Sequence, residues 1–411
     1  MKLGQDLDGN RARKGPENGH GINPARRSKR AMKRPSVVWW VPVAALVLLL
    51  VPVAASAHPT TVPAGAGSTG AAGEVFTMTN AVAGNQVLAF QIGPNGALIP
   101  AGTFSTHGTG SGVSLADQGA LVLTSDHRYL LVVNAGDNTL TVFQVHRAGS
   151  GPVLTFVERT GSRGAIPVSL TTHGRLVYVL NAGNATSPGN IAGFRLGDGG
   201  LLHALPGAQQ PLSTPAPTGP AEVAFNPAGS VLVVTEKSTS LIDAYPVNAE
   251  GIAQPPVTTA SNGSTPYGFA FTPSGTLVVS DAGSGALTSY SVAENGQIAV
   301  VSGSVGDGQM APCWVAIAGD EWAFTSNAHS DTISTYAVSG SGALTLSAAV
   351  AATTGPADTD LAIGGAHGQY LFVYDAGAPQ IQEFAIGSGG ALTLTYGVSS
   401  LPSATEGLAA F

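Results

Sequence analysis

The feature that most constrains this sequence is a repeat that returns every 46 to 54 residues from Glu74 onward. One unit runs from Gly219 to Val247, and a near copy runs from Thr265 to Val292. Each unit holds short β-branched and apolar segments separated by Gly, Pro, Asn and Ser, with no helical period. A period of this length, with four predicted strands in each unit, is typical of the blades of a β-propeller.

The number of blades follows from the ends of the Val-rich second strands. Seven polar residues mark these ends: Asn80, Asn134, Asn181, Thr235, Asp281, Asn327 and Asp375. The first unit has no complete inner strand of its own, but Glu406 to Phe411 matches the inner-strand pattern of Glu222 to Phe225. We therefore predict an all-β fold, a seven-bladed β-propeller closed by the C-terminal strand, which leaves no open sheet edge in the ring.

The N-terminal part of the chain has the pattern of an export signal. Val37 to Ala55 is an uncharged apolar run, with Lys33 and Arg34 before it and Ala55-Ser56-Ala57 at its end. A retained membrane anchor is the alternative, because the run is just long enough to span a bilayer. Met32 would begin a signal of ordinary length, whereas Arg26-Arg27 fits a twin-arginine signal poorly.

The predicted divisions are a basic extension (residues 1–36), a signal peptide or anchor (37–57), a flexible linker (58–73) and the propeller (74–411). Residues 58 onward carry 7 basic and 21 acidic side chains, a net charge of −14. Nucleic acids and anionic membranes need clustered positive charge, so neither is an expected partner. Cys313 is the only cysteine, which excludes an internal disulfide and a cysteine-based zinc cluster.

The repeat resembles the β-propeller lactonase family, which includes bacterial 6-phosphogluconolactonase and fungal carboxymuconate cyclase. The resemblance covers residues 74–411 and is carried by the Gly-Pro run at Gly219 to Gly229 and by the runs at Val132 to Gly136 and Val179 to Gly183. Related surface-layer propellers use similar repeats. The resemblance implies the fold directly and a hydrolytic activity less directly, because one fold hosts many functions.

The family's functional motif is only partly present. Where similar lactonases carry Gly-Pro-Arg-His and then Asn-Glu-Leu, this chain has Gly219-Pro220-Ala221-Glu222 and Thr235-Glu236-Lys237. The resemblance therefore implies Glu236 as the general base for water attacking an ester carbonyl. Lys237, the only lysine after residue 57, is predicted to stabilise the oxyanion. The alternative is a solvated turn with a surface ion pair of little energetic weight.

The other candidate residues are expected near the central channel, where inner strands begin and second strands end. His329 is a third candidate catalytic residue because histidine titrates near neutral pH. Predicted substrate-binding residues are Glu222, Trp314, Asn327 and Asp375. The structural alternatives are packing between blades for Trp314 and turn capping for the asparagines. Asp358, Asp360 and Asp375 match no metal-binding loop, so neither a metal nor a cofactor is predicted.

Two functions are consistent with this pattern. The first is an exported lactonase acting on a non-phosphorylated sugar lactone, because a phosphorylated substrate would need several Arg or Lys side chains at the site. The second is a non-catalytic surface propeller that binds protein or glycan. In both cases we expect a secreted or extracytoplasmic monomer that contacts the membrane only through an uncleaved N-terminal segment.

Cleavage after Ala57 is the expected fate of the N-terminal segment, because the apolar run ends at a small-x-small site. Sequencing the N-terminus of the protein produced by its host should find His58 first. An intact N-terminus on membrane-bound protein would instead establish an anchor.

Overall fold

The computed structural model describes residues 73–93, 96–148 and 151–411. They form seven antiparallel four-stranded sheets, which are the blades of a propeller. The strands of the first three blades, apart from the last strand of the chain, are β1 (Gly73–Met78), β2 (Gln86–Ile92), β3 (Leu98–Ser105), β4 (Leu121–Leu123), β5 (Tyr129–Asn134), β6 (Thr139–Ala148), β7 (Gly151–Gly161), β8 (Pro167–His173), β9 (Leu176–Asn181), β10 (Asn190–Leu196) and β11 (Leu202–Pro211).

The fourth to seventh blades each follow the chain order from the inner to the outer strand. Their strands are β12 (Pro220–Phe225), β13 (Val231–Glu236), β14 (Leu241–Pro246), β15 (Val257–Ala260), β16 (Pro266–Phe271), β17 (Leu277–Asp281), β18 (Ala286–Val292), β19 (Ile298–Gly306), β20 (Pro312–Ala318), β21 (Trp322–Asn327), β22 (Thr332–Val338), β23 (Leu344–Thr353), β24 (Asp358–Gly364), β25 (Tyr370–Asp375), β26 (Gln380–Ile386) and β27 (Leu392–Ser399). A short 3-10 turn, Ser388–Gly390, precedes β27, and β28 (Glu406–Ala410) ends the chain.

The ring closes as the sequence predicts. β28 pairs antiparallel with β1 and supplies the inner strand of the first blade, with Phe76 opposite Ala409 and Val75 opposite Ala410. Backbone hydrogen bonds at 3.1 Å run in both directions between Glu74 and Phe411. The two strands lie more than 300 residues apart in the chain, so their pairing is a non-local contact whose loop-closure entropy the packing of the blades must offset.

Burial decreases from the middle of each blade outward. Every residue of the second strand β5 is buried, because blades pack face to face and cover both surfaces of that strand. The outer strand β3 is exposed along most of its length. Adjacent blades are also joined by hydrogen bonds from buried tyrosines, since Tyr245 donates to the carbonyl of Pro211 and Tyr336 to that of Val305.

The propeller has two faces. The upper face carries the starts of inner strands and the ends of second strands, for example Pro220 beside Glu236. The lower face carries the turns between inner and second strands, such as residues 226–230. Among the described residues, no helix has the length and apolar character needed to cross a membrane. The predicted signal peptide or anchor and most of the predicted linker lie outside these residues.

One detail of the predicted register is corrected by the strand pairing. Glu236, and not Thr235, lies opposite the first residue of its inner strand, as Asn181 lies opposite Pro167 and Asn327 opposite Pro312. A glutamate therefore stands where other blades have Asn or Asp. The prediction that Thr235 ends this second strand was wrong because Thr235 is also polar and directly follows the Val-rich run.

Removing residues 404–411 should abolish the cooperative thermal transition or make the protein insoluble, because β1 would lose its inner partner along Val75, Phe76 and Met78. Differential scanning calorimetry measures this. Thr77→Val is the matched control, since it removes only the hydrogen bond from Thr77 Oγ1 to the Glu406 carbonyl and should cost about 1 kcal/mol. A truncated protein that melts within two degrees of the parent would contradict closure by β28.

Candidate functional site: a blind central channel

The end of each second strand carries a buried side chain that caps the following turn. Asn327 Nδ2 donates to Ser334 Oγ at 2.8 Å and to Thr332 Oγ1 at 3.2 Å. Gln380 Nε2 donates to Asp375 Oδ2 at 2.8 Å, and Thr288 Oγ1 donates to Asp281. Asn327 and Asp375, two of the predicted substrate-binding residues, are thus fully buried and engaged within their own blades.

Glu236 occupies the same position in the fourth blade and is fully buried. Its carboxylate accepts hydrogen bonds from Ser213 N at 3.0 Å, Ser213 Oγ at 2.5 Å and Thr239 Oγ1 at 2.6 Å. The loop before β12 and the turn after β13 are both held by these bonds. A carboxylate that receives three donors has little free lone-pair capacity for water.

A second buried carboxyl, Asp243 of β14, lies close to Glu236. Burial raises the pKa of Asp243 to about 7, and the negative charge of Glu236 adds to this rise. The Thr258 hydroxyl opposes it by donating to Asp243 Oδ1 at 2.6 Å. The two acids therefore form a buried structural pair inside the fourth blade.

Lys237 follows Glu236 directly but does not form an ion pair with it among the described residues. Its Nζ donates to the carbonyl of Ala116 at 2.5 Å and to that of Pro220 at 3.1 Å, and lies 4.6 Å from the ring centroid of Tyr267. Burial lowers the pKa of Lys237 to about 8, partly offset by the negative charge of Asp117. The lysine is therefore a buried anchor for a loop.

That loop, residues 114–119, lies across the channel, and we call it the plug. Gln118 Nε2 donates to the Val315 carbonyl at 2.8 Å, and Val315 N donates to Gln118 Oε1 at 3.0 Å. Trp314 Nε1 donates to the Asp117 carbonyl at 2.6 Å, which explains the burial of this predicted substrate-binding residue. A Cβ on Gly268 would lie 2.2 Å from Gln118 Oε1, so the fifth blade needs glycine here.

The plug is also tied to the blades on its other sides. Gln118 N donates to the Ala221 carbonyl at 3.0 Å, and Ser169 Oγ donates to the Gln118 carbonyl at 2.6 Å. Leu115 N donates to Glu406 Oε1 at 3.1 Å. Bonds from the first, third, fourth and sixth blades thus converge on one short loop, which closes the channel at the upper face.

Below the plug, the channel holds a cavity of about 370 Å³. Gln118 and Gly119 form its closed end, and Thr124, Ser125 and His127 stand at its lower end. Its wall carries two buried carboxyls, Glu222 and Asp360. No Lys or Arg belongs to this lining, so the cavity favours an uncharged or cationic guest.

Glu222 and Asp360 are held by backbone donors. Phe269 N donates to Glu222 Oε2, while Leu361 N and Leu408 N donate to the two oxygens of Asp360, all at 2.7 Å. Burial raises the pKa of both carboxyls well above the usual range, and the charge of Asp360 further raises the pKa of Glu222. Both acids therefore retain protons to unusually high pH.

His329 lies elsewhere on the upper face. It borders a groove of about 540 Å³ together with Gln309, Met310 and Ser284, and its backbone N–H donates to the Met310 carbonyl. No hydrogen bond links it to Glu236, Lys237 or Glu222 in the described part of the chain. Within the same residues, no group of three or more His, Cys, Asp or Glu side chains is placed to hold a metal ion.

Sequence reasoning missed the plug, Gln118 above all. A signal was present in the spacing, because 15 residues separate β3 from β4, whereas other blades are joined by four to eight residues. An insertion of this size between an outer and an inner strand is long enough to reach the channel, and here it crosses it.

Residues 83–188 match the family described as "Lactonase, 7-bladed beta-propeller". The predicted resemblance to the β-propeller lactonase family is confirmed. No protein of curated function matches the lactonase-like propeller at a significant level.

Solved structures extend the likeness in fold. A Bacteroides fragilis protein assigned as a 6-phosphogluconolactonase superposes with a TM-score of 0.65 at 18% identity, covering 84% of this chain and 99% of its own. The periplasmic gluconolactonase of Pseudomonas aeruginosa superposes with a TM-score of 0.61 at 17% sequence identity, covering 82% of this chain and 98% of its own. A Sulfolobus tokodaii protein assigned as selenium-binding superposes with a TM-score of 0.58 at 9% sequence identity, covering 82% of this chain and 93% of its own. At these identities the likeness concerns the fold alone.

Stability should depend on pH through Asp243. Its folded pKa of about 7 exceeds the ordinary 3.8, so the native state keeps a proton that the unfolded chain releases. The stabilisation that this proton provides is complete below about pH 4 and is lost as pH rises to about 7. The free energy of unfolding should fall by about 4 kcal/mol over this interval. Denaturant unfolding at pH 5 and pH 8 measures this, and Asp243→Asn should reduce the pH dependence by the share of Asp243, while the raised pKa values of Glu222 and Asp360 maintain the remainder. An unchanged slope in Asp243→Asn would contradict the assignment.

Proposed function

We propose that this propeller is an exported hydrolase that opens an uncharged, non-phosphorylated sugar lactone in the central channel. The observation that carries the proposal is the blind cavity of about 370 Å³ with Glu222 and Asp360 on its wall. Ligand sites in proteins are concave and hold a few convergent polar groups, and this cavity has both properties. Its volume suits one small ring with its substituents.

The chemistry needs one carboxylate and one carboxylic acid. Water attacks the lactone carbonyl carbon, and a carboxylate takes the proton that the water loses as the new C–O bond forms. The ring C–O bond then breaks, and the protonated carboxyl gives its proton to the departing alkoxide oxygen. Glu222 and Asp360 are suited to share these roles at a pH where one of them has ionised, because the charge of Asp360 raises the pKa of Glu222 and so keeps the second proton in place.

The charge of the cavity sets the substrate class. A phosphorylated substrate would meet two buried carboxyls and no Lys or Arg side chain in the lining. A neutral polyol lactone can accept hydrogen bonds from protonated carboxyls and donate to backbone carbonyls. This argues against classical 6-phosphogluconolactonase activity and for a non-phosphorylated lactone, in keeping with action outside the cytoplasm.

The location and state of the protein are part of the same proposal. The apolar run from Val37 to Ala55 supports export, and the absence of clustered basic residues after residue 57 argues against nucleic-acid partners. We propose a monomer whose partner is the small-molecule substrate.

The resemblance assigns the general base to Glu236, but its three hydrogen-bond donors and full burial favour a role in holding the turn after β13. We assign catalysis to the carboxyls that face the cavity instead. Lys237, which binds two backbone carbonyls, is assigned to anchoring the plug.

The test begins with a panel of sugar lactones and the purified parent, with acid release followed in a pH-stat. Glu222→Gln keeps the acceptor for Phe269 N but removes the ionisable group, and should lower kcat by roughly 10²-fold or more on the best substrate. The melting temperature should stay nearly unchanged. Asp360→Asn should lower kcat similarly, with some loss of stability because an NH2 group replaces one of the two carboxylate oxygens that accept hydrogen bonds from backbone N–H groups.

Glu250→Gln is the matched control, because it makes the same substitution at an exposed residue far from the cavity. Glu236→Gln should affect stability more than kcat. Equal kcat in Glu222→Gln and parent would remove Glu222 from the mechanism, and a large loss confined to Glu236→Gln would return the base to that residue. No turnover of any lactone by the parent would favour the binding propeller.

A further inference from the structure

Asp117 of the plug has an unusual environment in the channel. It is almost fully buried, and neither of its carboxylate oxygens has a hydrogen-bond partner. A buried ionised carboxylate without partners is very costly, so such a group remains protonated. Asp117 is not needed to hold the plug through its side chain, since the plug's bonds come from its backbone and from Gln118.

Acidic groups face Asp117 from three blades. They are Glu406 of β28, Asp360 of β24 and Glu222 of β12, and each raises the pKa of Asp117 in addition to the larger effect of burial. Within the part of the chain that the structure describes, the one cation that acts on Asp117 is Lys237, which lowers its pKa. The phenol of Tyr267 and the thiol of Cys313, both neutral over the usual pH range because burial raises their pKa values, complete the titratable surroundings.

We propose that residues 114–119 are a pH-dependent gate, closed while Asp117 and its acidic neighbours keep their protons and released from the channel when they ionise. Release gives the cavity a second opening at the upper face. The gate rests on the proposed function only for its effect on turnover, since the movement itself needs no substrate.

The direction follows from the protonation of the closed and open states. Burial raises the pKa of Glu406 to about 7 and that of Asp117 well above 3.8 when the plug is closed. Exposure to water on opening returns these values toward the ordinary range. The closed state therefore binds more protons, and its advantage shrinks as pH rises from about 4 through 7 and beyond.

Lys237 acts in the opposite sense. Its pKa of about 8 in the closed state would return toward 10.5 on exposure, so raising the pH through this interval favours the closed state. The carboxyls outnumber the lysine by four to one, and in the open state they release their protons from about pH 4 upward, below the interval in which Lys237 titrates. The net effect of raising pH from 5.5 to 8.5 is therefore release of the plug.

Hydrogen-exchange mass spectrometry of the full chain tests the gate, with rates corrected for intrinsic base catalysis. Protection of the plug in the parent should fall at least ten-fold between pH 5.5 and pH 8.5, while the turn at residues 226–230 stays unchanged. Asp117→Asn mimics the protonated form and should show a clearly smaller fall in plug protection between pH 5.5 and pH 8.5 than the parent, because only the acidic neighbours of residue 117 then titrate. Asp320→Asn, the same change at an exposed residue, should behave as the parent.

Gln118→Ala is a second variant that does not depend on the behaviour of Asp117→Asn. It removes both side-chain bonds to Val315 and should lower plug protection at least ten-fold already at pH 5.5. Constant protection in the parent up to pH 8.5, or the same pH dependence in Asp117→Asn as in the parent, would overturn the proposal. Because exchange is measured without substrate, failure to find a lactone would leave the gate standing.

Discussion

The pairing of β28 with β1 is the interaction on which the rest of this molecule depends. Blades of a propeller contact only their neighbours, so an open arc would leave two uncovered faces and an unpaired inner edge. Joining the last strand to the first turns the arc into a ring and fixes the width of the central channel. The cavity, the plug and the carboxyls that converge there exist only in the closed ring, because they are contributed by blades on different sides of it.

The blades share equivalent structural positions, and individual blades differ in which side chain occupies each position. At the end of the second strands, Asn181, Asp281, Asn327 and Asp375 share one structural position, and Glu236 fills it in the fourth blade. Its longer side chain reaches a loop of the preceding segment at Ser213. A residue that looks exceptional in one blade thus performs a capping task that other blades perform with shorter side chains.

On the inner strands, some blades carry acidic side chains where other blades carry small or neutral residues. By strand register, Glu222 and Asp360 occupy equivalent positions in the fourth and seventh blades, where the third and fifth blades have Ser169 and Gly268. Glu406 begins the inner strand of the first blade, next to a register shift. Three buried acids in one narrow channel are destabilising for folding, because each loses hydration and repels the others. These acids lower the free energy of unfolding, and clusters of buried ionisable groups of this kind are common at functional sites. Lys237 and the backbone donors offset only part of that cost.

The sequence by itself determined the architecture: the repeat length, the turn-forming residues and the inner-strand pattern at Glu406 to Phe411 specify seven blades and their closure. These features are local or periodic, so they can be read without knowing distances. The sequence also placed Glu222, Trp314 and Lys237 near the channel. Only the tertiary structure decided what each one touches: Lys237 turns away from Glu236, Trp314 binds the plug, and Gln118 crosses to β20. Contacts across the ring join residues up to 291 positions apart, as between Leu115 and Glu406, and no periodic pattern encodes them.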